Sequence, residues 1–189
     1  MREALQMLSA RGIISIEKGR GIFVNGFSSE TVTHPMMTYL QFKGNDVLDV
    51  IKARLIIEPS IAEYAAMHRD EEDIQILMND IDEMIRNQGH EKEHANLDLQ
   101  FHLHVAAASK NHIMPLILQP IHKLMPKIKQ RILSTVPNAF QSAVEWHSKI
   151  VEAIKNSDPE KAFQTMKKHL EIALEHTQQM LKTEEDEED

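Results

Sequence analysis

The chain has 189 residues, 42% of them hydrophobic and 26% charged, with a formal net charge of −8, which suits one good-sized globular domain plus a small appendage. There is no cysteine, so disulfides and thiolate metal ligands are excluded, and a reducing cytoplasm is the expected setting. The acidic balance disfavours nucleic-acid binding by the whole surface but leaves room for a small basic reader; no apolar run approaches the ~20 residues of a membrane span, and the opening MREALQML lacks the apolar core of a signal peptide.

Residues 2–10, REALQMLSA, read as a helix stopped by Gly12. The stretch IISIEKGRGIFV alternates and turns at KGRG, which predicts a β-hairpin with a basic tip. Residues 1–27 thus form a first unit, and the Ser- and Thr-containing residues 28–44 read as a linker. From about residue 45 to 182 the pattern is helical. The first helix contains Pro59, an expected kink. EEDIQILMNDIDEMIRNQ and HANLDLQFHLHVAAAS follow as amphipathic helices, with Asn111 expected as a left-handed cap. Residues 113–134 carry Pro115, Pro120 and Pro126 and should be bent or split. SAVEWHSKIVEAIKNS and PEKAFQTMKKHLEIALEHTQQMLK make a last helical pair, joined at Asp158 with Pro159 near the first helical position. Residues 183–189, six of them consecutive acids, read as a solvated acidic tail. The predicted fold class is mostly α: an antiparallel bundle of about six helices after one helix and a hairpin.

Most of the eleven histidines have ordinary readings. His34, His68, His90, His94, His112, His122 and His176 fall near helix ends or among polar residues, where a surface or capping role is expected, and His104 points away from His102. His147 and His169 differ, because each shares a helical face with apolar residues. His147 lies eleven residues before Asp158 and His169 eleven after it, so an antiparallel pair sets them at one level. Asp98 and His102, four apart in DLQFH, share one helical face. Two core-facing imidazoles are costly unless something binds them. Asp98, His102, His147 and His169 suit a divalent ion such as Zn, Ni, Mn or Fe.

The opening REAL and the later Gly19-Arg20-Gly21-Ile22-Phe23-Val24 resemble the recognition helix and wing of GntR-family transcriptional regulators. The bundle is similar to the FCD ligand-binding domain of the FadR subfamily. The shared marks are Arg54 and Glu58; Asp98, His102, Ser109 and Asn111; His147, Ile150, Ala153 and Ile154; and Met166 and His169. The resemblance implies that Asp98, His102, His147 and His169 hold a metal ion. It implies that a small carboxylate effector binds at that ion with Arg54 as partner, Arg54 being alternatively tied to Glu58 one turn on. It further implies a homodimer, and operator contacts by Arg2, Lys18 and Arg20 in the full-length form. In the family two helices precede the recognition helix; this chain begins inside it, so an incomplete winged helix-turn-helix with weak, nonspecific DNA binding is expected. Competing readings are a metal-dependent enzyme acting on a small hydroxy acid and a dimerisation module that only kept the pocket. No general base beyond the site is evident, and the wing has no use in an enzyme, so a non-enzymatic regulator is expected.

Overall fold

The computed structural model describes residues 2–25 and 47–188, together with residues 35 and 38. The linker expected over residues 28–44, with His34 in it, otherwise lies outside the described residues. The chain divides into two compact units, Met1–Gly44 and Asn45–Asp189.

In the first unit, α1 (Arg2–Ala10) is followed by β1 (Ile14–Glu17) and β2 (Gly21–Val24). The strands pair antiparallel with Ile14 opposite Val24 and Glu17 opposite Gly21. Gly12 ends α1 at φ +68°, and Gly19 and Gly21 turn the hairpin at φ +82° and +117°, conformations that cost a Cβ-bearing residue energy. This is the helix and hairpin expected from the sequence.

The second unit holds seven helices among the described residues: α2 (Val47–His68), α3 (Glu71–Arg86), α4 (Glu91–Ala108), α5 (Ile113–His122), α6 (Pro126–Thr135), α7 (Ala139–Lys155) and α8 (Pro159–Glu188). The proline-rich stretch splits into α5, which holds Pro120 in its interior, and α6, where Pro126 takes the first helical turn and its missing N–H costs no bond. Pro59 sits buried inside a continuous α2. The left-handed residue after α4 is Lys110 at φ +55° rather than Asn111; Asn111 instead accepts the Ile113 amide on its side chain at 3.0 Å. Helix α8 runs through the acidic run to Glu188, and Glu184 pairs with Arg131 of α6, which draws part of that run onto the bundle.

Local signals fix the helix ends. Asp70 accepts the Asp73 amide at 3.0 Å and Asp73 returns the bond at 2.8 Å, a capping box that starts α3. Asp158 accepts the Lys161 amide at 3.0 Å at the start of α8. The main core gathers Ile61, Leu77, Phe101, Val105, Ile150, Ile154, Met166 and Leu170, all buried. Each such large side chain stabilises the fold by about 1.5–3 kcal/mol relative to exposure. No described helix is long and apolar enough to cross a membrane.

Candidate metal centre

Two buried stripes carry the polar residues of the site. Along α2 the buried positions Ile51, Arg54, Glu58, Ile61, Ala62 and Ala65 recur at three- and four-residue steps. Along α4 they are His94, Ala95, Asp98, Phe101, His102, Val105 and Ala106. The period that buries Ile51 or Phe101 therefore also buries Arg54, Glu58, Asp98 and His102. Helices α7 and α8 add His147 and His169, both buried.

Three of the four residues expected at a metal converge closely. Ligand-capable atoms of His102, His147 and His169 all lie within 4.8 Å of one another. Nε2 of His147 is 3.2 Å from Nε2 of His169, and the ring centroid of His102 is 5.3 Å from that of each. Asp98 stands at the edge: its Oδ1 is 3.6 Å from His147 Nε2 and 2.7 Å from the Lys129 ammonium of α6. That oxygen is buried and has no partner in hydrogen-bond geometry.

A second buried set, Glu58, His102 and His122, shares His102 with the first. Arg54 Nε donates to Glu58 Oε1 at 2.6 Å, and His122 Nε2 donates to the same oxygen at 2.9 Å. His102 Nδ1 lies 2.5 Å from Glu58 Oε2. Arg54 Nη2 donates to His102 Nε2 at 3.0 Å. Because a guanidinium only donates, Nε2 of His102 presents its lone pair and Nδ1 carries the proton, facing the carboxylate. Arg54 touches both sets, on Glu58 in the second and on His102 in the first; the first is the better metal site because it gathers three imidazoles against two. Its borderline nitrogen donors and the adjacent buried Asp98 carboxylate fit a divalent transition ion.

The electrostatics agree. Burial pushes the Glu58 carboxyl up, but Arg54, His102 and His122 together outweigh it and hold it well below the usual range. For Asp98 burial likewise raises, and Lys129, His147, His102 and Arg54 more than offset it. Burial, reinforced by neighbouring positive charge, holds His147 and His169 well below the ordinary imidazole value. Both are thus neutral near pH 7, the state a metal requires. Burial lowers His122 to about 4 and His94 to about 4.

Two histidines expected at the surface are in the core: His94 is 1% exposed and His122 fully buried. The overlooked signal was register. His94 is one turn before Asp98, and His122 is four residues after the buried Leu118. His104 meets Asp80 at 2.7 Å. Arg54 forms the ion pair with Glu58 that was the alternative to effector binding, yet it also lines a cavity with Asp98, Lys129, His169 and Thr177. Arg2, Lys18 and Arg20 lie in the first unit and are exposed, with Arg20 paired to Glu17 at 2.6 Å.

Residues 49–172 match the FCD domain model. The chain belongs to the FCD family. It is 28% identical to the HTH-type transcriptional regulator LutR of Bacillus subtilis, over 90% of this chain and 80% of that one. It is 31% identical to the Exu regulon transcriptional regulator of Escherichia coli, over 90% of this chain; the match spans 66% of that regulator's length. A solved structure, Streptococcus agalactiae GntR, superposes with a TM-score of 0.66 at 24% identity, covering 92% of this chain and 80% of that one. The family match and the named relatives together place the chain among GntR-family transcriptional regulators with an FCD domain.

Proposed function

We propose that the helical unit, over residues 45–182, senses a small carboxylate at a divalent metal ion held by Asp98, His102, His147 and His169, and passes that signal to DNA binding in a homodimer. The observation that carries this reading is the meeting of three buried imidazoles from α4, α7 and α8 beside the buried Asp98 carboxylate. A bound ion would offer open coordination positions to an acid. Without one, the burial cost of these groups has little return.

The protein's own residues would do the rest. Asp98 supplies charge and the imidazoles supply neutral donors. Glu58 faces the protonated Nδ1 of His102, which makes Nε2, now accepting from Arg54, the nitrogen whose lone pair would coordinate; such outer carboxylates commonly fix a ligand's tautomer. An effector preferring one arrangement of the bundle shifts the equilibrium by its difference in affinity for the two. Arg2, Lys18 and Arg20 serve as backbone contacts to operator DNA in this reading, and the setting is the cytoplasm. That the relatives are regulators favours a sensor over an enzyme. The test is elemental analysis of the purified chain with mass spectrometry of co-purified small acids. Stoichiometric zinc, nickel, manganese or iron is expected, with reversible rather than catalytic handling of any acid; turnover of a hydroxy acid would favour the enzyme instead.

A further inference from the structure

We propose that Lys129 is the anion-gripping residue of this cavity and that metal binding is what releases it, so that metal and carboxylate bind in that order. The inference rests on the metal reading above and adds a residue, a charge requirement and a sequence of events.

The buried charges set the problem. Around the cavity Arg54 and Lys129 are cationic, and Glu58 and Asp98 are anionic. Without metal these charges cancel in pairs: Arg54 against Glu58 and Lys129 against Asp98. Lys129 is 13% exposed and Asp98 5%, so neither charge is well served by water. In this arrangement the cavity has no reason to take an anion.

Commitment of Asp98 and His102 to a divalent ion changes that. Asp98 Oδ1, 2.7 Å from the Lys129 ammonium, becomes a ligand, and Lys129 then faces an ion of its own sign. His102 Nε2, which accepts from Arg54 Nη2 at 3.0 Å, becomes a ligand as well, so that Nη2 loses its acceptor. Arg54 keeps Glu58 through Nε at 2.6 Å; Lys129 has no such second acid in the cavity lining. The same event therefore leaves one free ammonium, one free guanidinium arm and two uncompensated positive charges in a low-dielectric space. A carboxylate would give the ammonium and the guanidinium arm an acceptor each and would offset one of the two charges. A neutral ligand of the same shape would leave the charge uncompensated, so the site selects acids.

The experiment compares wild type with Lys129→Met, each loaded with Zn²⁺ and each metal-free, titrated with lactate, glucuronate and inorganic phosphate by calorimetry and thermal shift. Zinc-loaded wild type is expected to bind at least one of the three anions, and metal-free wild type to bind none. Lys129→Met should bind zinc at least as tightly as wild type, because a competitor for Asp98 is gone, and should lose tenfold or more in anion affinity. Equal anion binding with and without zinc would overturn the ordering. Unchanged anion affinity in Lys129→Met, or no anion binding by zinc-loaded wild type, would overturn the grip. A Lys129→Met chain that binds zinc tenfold more weakly would show that Lys129 only props Asp98, and would overturn the proposal too. Failure of the metal reading looks different: wild type itself takes up no zinc.

Discussion

Nε2 of His122 donates to Oε1 of Glu58 at 2.9 Å, joining α5 to α2 across 64 residues of chain. The same oxygen accepts from Arg54, and the other Glu58 oxygen faces His102. His122 is therefore a structural member of the site's outer layer. His122→Ala should destabilise the fold by about 1–3 kcal/mol, the usual cost of stripping a partner from a buried polar group. The exposed His112 is the control, and its replacement by Ala should stay within about 0.5 kcal/mol of wild type. Urea denaturation of both variants, with chelator present, is the measurement; equal midpoints would show that the contact carries no energy.

Glu58 matters more than any single donor to it. Glu58→Ala would leave the Arg54 guanidinium, 3% exposed, without its counter-ion. Breaking a buried pair from one side costs about 3–5 kcal/mol. Double replacement, Arg54→Met with Glu58→Leu, should recover much of that loss, because it removes both charges. A single variant as stable as wild type would contradict the burial described for this pair.

How much of this was legible in the sequence follows from what each signal reports. The helices and hairpin were readable because spacing, glycines and prolines act locally: Gly12 stops α1 and Pro126 starts α6. The level match of His147 and His169 was readable because a tight turn makes height a matter of counting from Asp158. The burial of His122 was not, because it depends on how α5 lies against α2, which no local pattern encodes. Lys129 was hidden for the same reason. It reads as an ordinary basic residue in PKIKQRILST, and only the packing of α6 on α4 brings its ammonium to Asp98. Arg54 with Glu58 was seen as a pair, but its reach to His102 crosses 48 residues and was not.

Stability should fall as the solution is acidified from pH ~6.5 toward ~4. His94 and His122 have folded values of about 4, whereas an unfolded imidazole titrates near ~6.5. Between these limits the unfolded chain binds more protons than the folded one, so unfolding becomes easier as pH drops, by about 1.4 kcal/mol per unit for each such histidine. His147 and His169, also lowered, add in the same direction. Above ~6.5 the contribution of these groups is complete and flat. Glu58 and Asp98 act lower down: their depressed values give stability that is present above the ordinary carboxylate pKa of ~4 and lost as pH falls through the folded values. Denaturant midpoints across this range, in chelator, should slope down with acid, and His122→Gln should flatten the slope. A level profile from 6.5 to 4.5 would mean these imidazoles are not buried neutral.

Metal should be linked to the fold through the same histidines. An ion that binds the native state alone stabilises it by about 2.7 kcal/mol at a hundredfold excess over its dissociation constant. Chelation should therefore lower the melting temperature of the wild-type chain, and added zinc should restore it. His147→Ala and His169→Ala each remove a nitrogen from the cluster of three and should abolish most of that zinc-dependent rise. His104→Ala should keep it, because His104 faces Asp80 and not the cluster. Asp98→Asn should weaken it by less than loss of an imidazole, since Asp98 stands at the edge of the cluster and shares its oxygen with Lys129. His122→Ala should lower the melting temperature of both the metal-free and the zinc-loaded chain while preserving most of the difference between them, because it braces Glu58 rather than facing His147 and His169. That separation distinguishes the two buried sets. If His122→Ala erased the zinc response as completely as His147→Ala, the ion would sit with Glu58 and His122 instead; if no variant altered the response, it would bind elsewhere on the chain.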